Sequence, residues 1–238
     1  MLLPQPVARG YLIKRYKRFL ADIELDDGQV VTAHCANTGS MAGLTEPGLP
    51  VYLSYSSNPK RKLAWSWQSV ELESGLVGIN TAQPNRLVAE ALAAKAIAPL
   101  TAYTNVRPEV KYGEKSRIDF LLSAEGMPEC YLEVKNVHFS RERGLAEFPD
   151  SVTARGARHL DEMARMVEQG KRSVTLYVVQ RSDCTRFAFA ADLDRTYAKA
   201  QEKARSRGVE FLAYSCQISP AEISLAGPLP FVSSPKRN

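Results

Sequence analysis

Hydrophobic and polar positions change rhythm once along this chain. From residue 7 to about 80, short runs of β-branched and aromatic residues alternate with turn material such as Asp26-Asp27-Gly28 and Glu46-Pro47-Gly48. The pattern predicts strands within Val7–Leu25, over Gln29–Cys35 and Val51–Tyr55, and within Leu63–Glu73. About five strands in so short a stretch suit a small closed barrel, because closure removes edges that would otherwise pair with other chains. An OB-like, all-β barrel is therefore expected over residues 1–80.

Near Pro84 the period lengthens. Asn85–Ile97 carries apolar residues at helical spacing, opened by Pro84 and stopped before Pro99. Three strands are expected next, at Thr104–Tyr112, Arg117–Ser123 and Cys130–Val137, as an antiparallel meander. A helix over Ser151–Gln169, a β-branched strand Ser173–Gln180, a helix Leu193–Ser206 and a strand Val209–Ser215 follow. Residues 81–238 thus read as an α/β domain in the order α-β-β-β-α-β, then α-β, with a tail Ser233–Asn238 expected to fray.

Composition narrows the class. The 238 residues are 45% hydrophobic and 24% charged, as in ordinary globular chains. No apolar run approaches a membrane span and Met1–Gly10 does not resemble a signal peptide, so a cytoplasmic protein with no membrane partner is expected. Cys35, Cys130, Cys184 and Cys216 show no CxxC spacing; half-buried, reduced thiols are expected, and His34-Cys35 lacks a second ligand pair for zinc. The net charge of +5 favours polyanions only if the basic residues cluster, since residues 1–80 contribute +1 and the remainder +4. Two clusters stand out: Lys14, Arg15, Lys17 and Arg18 among Tyr11, Tyr16 and Phe19, and Lys60, Arg61 and Lys62 near Trp65 and Trp67. Each fits a phosphate-tracking, base-stacking groove or a solvated strand face. Alternation puts both tryptophans on one face, where at least one is expected in the barrel core.

The candidate chemistry lies in the second domain. Asp119 interrupts an apolar strand, where an unpaired buried charge costs about 2–5 kcal/mol. In the next strand, Glu133 and Lys135 share one face, ~6–7 Å apart by the rise per residue. If the two strands pair, two carboxylates and a lysine converge. An oxygen site with few carboxylates suits Mg²⁺ or Mn²⁺, which keeps several waters and completes its shell with substrate phosphate. Asp119 and Glu133 would hold the metal and Lys135 would orient the water or neutralise developing charge. Glu90, on the first helix, is a further catalytic candidate. The bland alternative is an ion pair, Glu133 with Lys135 or Asp119 with Arg117. His138 reads as a general base or, more simply, a surface residue beyond the strand, His159 as a phosphate contact or outer cap, and Asn37-Thr38-Gly39-Ser40 as a plain turn or one whose amides receive a phosphate. No Gly-rich loop suggests a nucleotide or sugar-phosphate enzyme.

Asp119 followed by Glu133-Val134-Lys135, behind a Glu-bearing helix, resembles the PD-(D/E)xK nuclease superfamily, although Ile118 stands where that pattern has proline. More widely, Arg15-Tyr16-Lys17-Arg18-Phe19-Leu20-Ala21-Asp22, Asn37-Thr38-Gly39-Ser40-Met41, Glu109-Val110-Lys111-Tyr112-Gly113, Ser116-Arg117-Ile118-Asp119-Phe120, Glu133-Val134-Lys135-Asn136-Val137 and Phe148-Pro149-Asp150 resemble the bacterial sugar fermentation stimulation protein A family over about residues 7–220. The resemblance implies an OB-fold joined to a nuclease-like domain with a mixed sheet, non-specific DNA binding, and a link to regulation of sugar, notably maltose, metabolism. The function expected is sequence-tolerant binding of DNA or RNA with metal-dependent phosphodiester hydrolysis. The rival is a DNA-binding regulator that keeps the nuclease scaffold without turnover.

Overall fold

The computed structural model describes residues 1–113 and 116–234; the end of the tail expected to fray lies outside them. Strands β1 (Val7–Tyr16), β2 (Leu20–Leu25), β3 (Val30–Cys35), β4 (Pro50–Tyr55) and β5 (Trp65–Leu72) form the barrel. It closes because β1 pairs with both β2 and β4, while β3 runs parallel to β5 through Ala33↔Trp65 and Cys35↔Trp67. The single segment read as Val7–Leu25 splits at a hairpin tip where Lys17 and Arg18 are left-handed, φ 49° and 65°. Trp67 fills the core with Leu12, Ile23, Leu53 and Val70, its indole N–H satisfied by the Ser69 carbonyl at 3.0 Å. Strand β6 (Gly75–Gly78) folds back antiparallel on β5 and leads into the second domain, where the Gly78 N–H donates to the Gln180 carbonyl.

The second domain comprises α1 (Gln83–Ala93), β7 (Asn105–Tyr112), β8 (Ser116–Ser123), β9 (Cys130–Val137), β10 (Leu145–Phe148), α2 (Ala154–Glu168), β11 (Arg172–Val179), β12 (Arg186–Phe189), α3 (Arg195–Ser206), β13 (Glu210–Ile218) and β14 (Ile223–Pro228). Its main sheet has the order β14-β13-β11-β9-β8-β7, with β9, β11 and β13 parallel and the remaining pairs antiparallel. This is the mixed α/β sheet expected. The central β11 is buried at seven of eight positions, as a parallel strand covered on both faces requires. Helix α1 covers one face through Leu87, Val88 and Leu92 against Phe120, Leu132 and Leu176. On the other side Leu160, Met163 and Ala164 of α2 pack with Tyr197 and Ala204 of α3.

Two departures have physical causes. Helix α1 stops at Ala93, four residues before the expected Ile97, because Lys95 turns left-handed (φ 57°) and Ala96 N–H returns to the Ala91 carbonyl, a Schellman closure. The Lys95 ammonium then holds the Thr101 and Tyr103 carbonyls at 2.7 and 2.8 Å. The short β10 and β12 pair with each other in a two-stranded sheet apart from the main one, and four residues are too few to show a period. All four cysteines are fully buried, not half-buried as expected, and free.

Candidate metal centre

Strands β8 and β9 pair only from Phe120↔Leu132 to Leu122↔Cys130 and then separate. On its other side β8 pairs with β7 at Pro108↔Phe120 and Val110↔Ile118, skipping Glu109 and Asp119. Glu109 sits there in a left-handed conformation, φ 55°, a local strain of the kind that clusters at functional sites. Asp119 therefore lies where the ladder opens. Its Oδ2 accepts the Val134 backbone N–H at 2.7 Å, and its Oδ1 accepts the side-chain amide of Asn85, from the first turn of α1, at 2.8 Å.

Alternation along β9 places Leu132 and Val134 in the core beneath α1, while Glu133 and Lys135 turn towards α2. Glu133 is 4% exposed. Its Oε1 accepts from Lys135 Nζ at 2.6 Å and faces His159 Nδ1 at 2.7 Å. Arg155 Nε lies one helical turn away and donates to His159 Nε2 at 3.3 Å. A guanidinium has no acceptor, so the imidazole proton belongs on Nδ1 and points at Glu133. His159 is thus a buried orienting residue, not the outer cap expected. The Glu133–Lys135 ion pair exists, but it occupies only one carboxylate oxygen: Glu133 Oε2 is buried and has no partner among the described residues.

The two carboxylates are held in opposite protonation bias. Burial and the neighbouring Glu133 charge push the Asp119 carboxyl above its ordinary value, against the pull of its hydrogen bonds and Lys135. Burial also pushes Glu133 upward, but His159 and Lys135 outweigh it and the net direction is down. Two acids, one of which lacks a full set of donors, form a centre short of positive charge. Among the described residues no three of His, Cys, Asp and Glu converge as an all-protein metal cage. The donor set fits a hard cation that retains water, which Asp119 and Glu133 are the residues able to hold.

The other candidates are dispersed. Glu90 does not join the centre: it is turned to the Met1 amino group, 2.9 Å away, and is replaced at the centre by Asn85. Position on an apolar helix suggested Glu90, and nothing local distinguished Asn85. His138 is buried, not on the surface, among Asn37, Asn136 and Asp150 at the junction of the domains. Arg15 Nη2 donates to the Arg18, Asn37 and Gly39 carbonyls at 2.9, 2.9 and 3.0 Å, and Arg18 Nε donates to the Thr38 carbonyl. These arginines brace the Asn37–Gly39 loop, and a Cβ on Gly39 would come within 2.9 Å of Asp150 Oδ2. Lys17, Arg18 and Phe19 form the exposed hairpin tip. Lys14 lies over Tyr16 and 3.6 Å from Asp22. Lys60, Arg61 and Lys62 are exposed, Arg61 bonding Ser66 Oγ, while Trp65 is half-buried edge-on to Tyr55.

Comparison with known proteins places this arrangement. Residues 82–222 match the family described as Sugar fermentation stimulation protein RE domain, and residues 13–79 match the SfsA N-terminal OB domain. A sugar fermentation stimulation protein homolog of Maricaulis maris is 52% identical over 229 residues, covering 96% of this chain and 97% of that one. A homolog of Ruegeria pomeroyi is 56% identical, covering 90% and 94%. A solved structure, described as Pyrococcus furiosus SfsA in complex with Ca²⁺, superposes with a TM-score of 0.86 at 22% identity, covering 98% of both chains. No helix among the described residues is long and apolar enough to cross a membrane.

Proposed function

The chain belongs to the sugar fermentation stimulation protein family, and on that premise we propose that its second domain hydrolyses phosphodiester bonds of DNA or RNA with Mg²⁺ or Mn²⁺ at Asp119 and Glu133. The observation that carries the proposal is the partnerless Glu133 Oε2, buried beside a second carboxylate that burial makes reluctant to ionise. The Ca²⁺ of the Pyrococcus furiosus complex supports a divalent cation in this fold.

A bound cation would polarise the phosphate and acidify a water. The remaining work falls to the chain. Val134 N–H and Asn85 fix the Asp119 carboxylate in one rotamer. His159, oriented by Arg155, holds Glu133 by Oε1 and leaves Oε2 without a partner among the described residues. Lys135 lies within reach of both Glu133 and an arriving phosphate, where its ammonium offsets negative charge that grows in the transition state. The barrel contributes sequence-tolerant attraction through Lys17, Arg18 and Phe19 at the hairpin tip and through Lys60 and Lys62, consistent with action on long polyanions.

A second reading, a regulator that binds nucleic acid without cutting it, is favoured by the closed Glu133–Lys135 ion pair, which engages the lysine that hydrolysis needs. Incubating labelled single- and double-stranded DNA and RNA with the protein across Mg²⁺, Mn²⁺, Ca²⁺ and chelator separates the two. Hydrolysis predicts cutting in Mg²⁺ or Mn²⁺, little in Ca²⁺, whose looser geometry activates water poorly, and none in chelator.

A further inference from the structure

We infer that Tyr112 and Glu162, which lie outside the D…ExK motif, complete this centre by holding the water that a hard divalent cation retains when Asp119 and Glu133 bind it; the inference rests on the metal reading above.

Of the six buried side-chain oxygens with no partner among the described residues, three surround the centre: Glu133 Oε2, the Tyr112 hydroxyl and Glu162 Oε2. They belong to one neighbourhood. Tyr112, only 7% exposed, ends β7 with its ring 5.5 Å from Tyr131, which alternation places on the same face of β9 as Glu133. Glu162 follows His159 by three residues on α2, hence on the same side of the helix, and His159 touches Glu133. A Cβ on Gly113, the residue after Tyr112, would lie 3.8 Å from the Glu162 carboxylate. The Tyr112 hydroxyl feels Glu133, Glu162 and Asp119 together, and burial with these charges raises its pKa, so it stays a proton donor.

The hydrogen-bond inventory then selects the occupant. The cation itself satisfies Glu133 Oε2, so Glu162 Oε2 still requires a donor and the Tyr112 O–H an acceptor. A water retained by that cation supplies both: it gives an O–H to Glu162, accepts the phenol O–H on one lone pair and keeps the other for the cation. The cation alone would leave the phenol proton without an acceptor. Mg²⁺ and Mn²⁺, which hold part of their hydration shell, match this set.

Calorimetric titration of the full chain with Ca²⁺ and with Mn²⁺, each alone, tests the assignment. Glu162→Gln and Tyr112→Phe should each weaken cation binding by about 10-fold or more, within the range typical for residues that act through a ligand's neighbours. Glu202→Gln, the same charge change on exposed α3, should bind as wild type. Melting in chelator confirms that each variant folds, and if Tyr112→Phe does not, Glu162→Gln decides. Wild-type affinity in Glu162→Gln and Tyr112→Phe, while Asp119→Asn loses binding, overturns this inference and leaves the metal reading standing. A wild-type protein that binds neither cation overturns both.

Discussion

Asp119 Oδ2 accepts the Val134 backbone N–H at 2.7 Å, so a side chain completes the hydrogen bonding of β9 where β8 has left it. The carboxylate is thereby locked in place, yet burial and Glu133 disfavour its charge.

Asp119→Asn should accordingly stabilise the protein in chelator. The introduced amide oxygen keeps the Val134 bond, and Asn85 can rotate its own amide to accept from the new NH₂ group. Because the folded carboxyl titrates above its unfolded value, its ionisation costs stability at neutral pH, and the cost is relieved as pH falls through the folded value. The melting midpoint of the variant should exceed wild type at pH 7, by roughly 2–4 °C for each ~1 kcal/mol released, and the gap should close on acidification. Melts in chelator across pH check this; a variant less stable than wild type at pH 7 contradicts it.

His159→Phe should act in the opposite sense. Glu133 titrates below its ordinary value through His159 and Lys135, so its ionised form contributes stability at neutral pH that is lost as pH falls through the folded value. Losing a charge-assisted bond should cost about 2 kcal/mol at pH 7, less as Glu133 becomes protonated. Urea unfolding at a series of pH values reads this, and a loss independent of pH would assign His159 to packing alone.

Arg15 and Lys17 should separate cleanly although they are near neighbours on one hairpin. Arg15 braces three carbonyls, whereas Lys17 is exposed at the tip. Lys17→Ala should shallow the plot of log K against log salt by about 0.7–0.9 with stability unchanged, the share of one phosphate contact. Arg15→Ala should instead lower stability by about 1–3 kcal/mol through the unsatisfied carbonyls. Filter binding of labelled DNA at several salt concentrations, beside urea melts, distinguishes them; an unchanged slope in Lys17→Ala removes the hairpin tip from the binding surface.

The parts of this centre that a strand's own alternation determines were legible in the chain. Cys130–Val137 is observed with the bounds expected, and the common face of Glu133 and Lys135 follows from period two. What depends on neighbouring elements was not. The neighbouring Arg155 and Arg158 suggest an exterior His159, although its spacing from Gly156 and Met163 puts it on the buried stripe of α2, the signal in the sequence for its burial. Asn85 matters only because β8 and β9 part beside it, and no local pattern announces that. The end of α1 was misplaced because a left-handed lysine, unlike a glycine, is not recognisable as a stop.

A metal-dependent nuclease centre on Asp119, Glu133 and Lys135 stands or falls on one paired measurement: cleavage rate in Mg²⁺ and filter-binding affinity in chelator, for wild type, Asp119→Asn, Glu133→Gln and Lys135→Ala on the same labelled DNA and RNA. Wild type should cut. Either amide variant should lose cleavage by orders of magnitude while binding in chelator holds or tightens, because a charge repelling phosphate is gone. Lys135→Ala should lose both, since two acids then face the phosphate with no positive partner. A wild-type protein that cuts no substrate with any metal, and amide variants that bind just as it does, would rule out a nuclease centre.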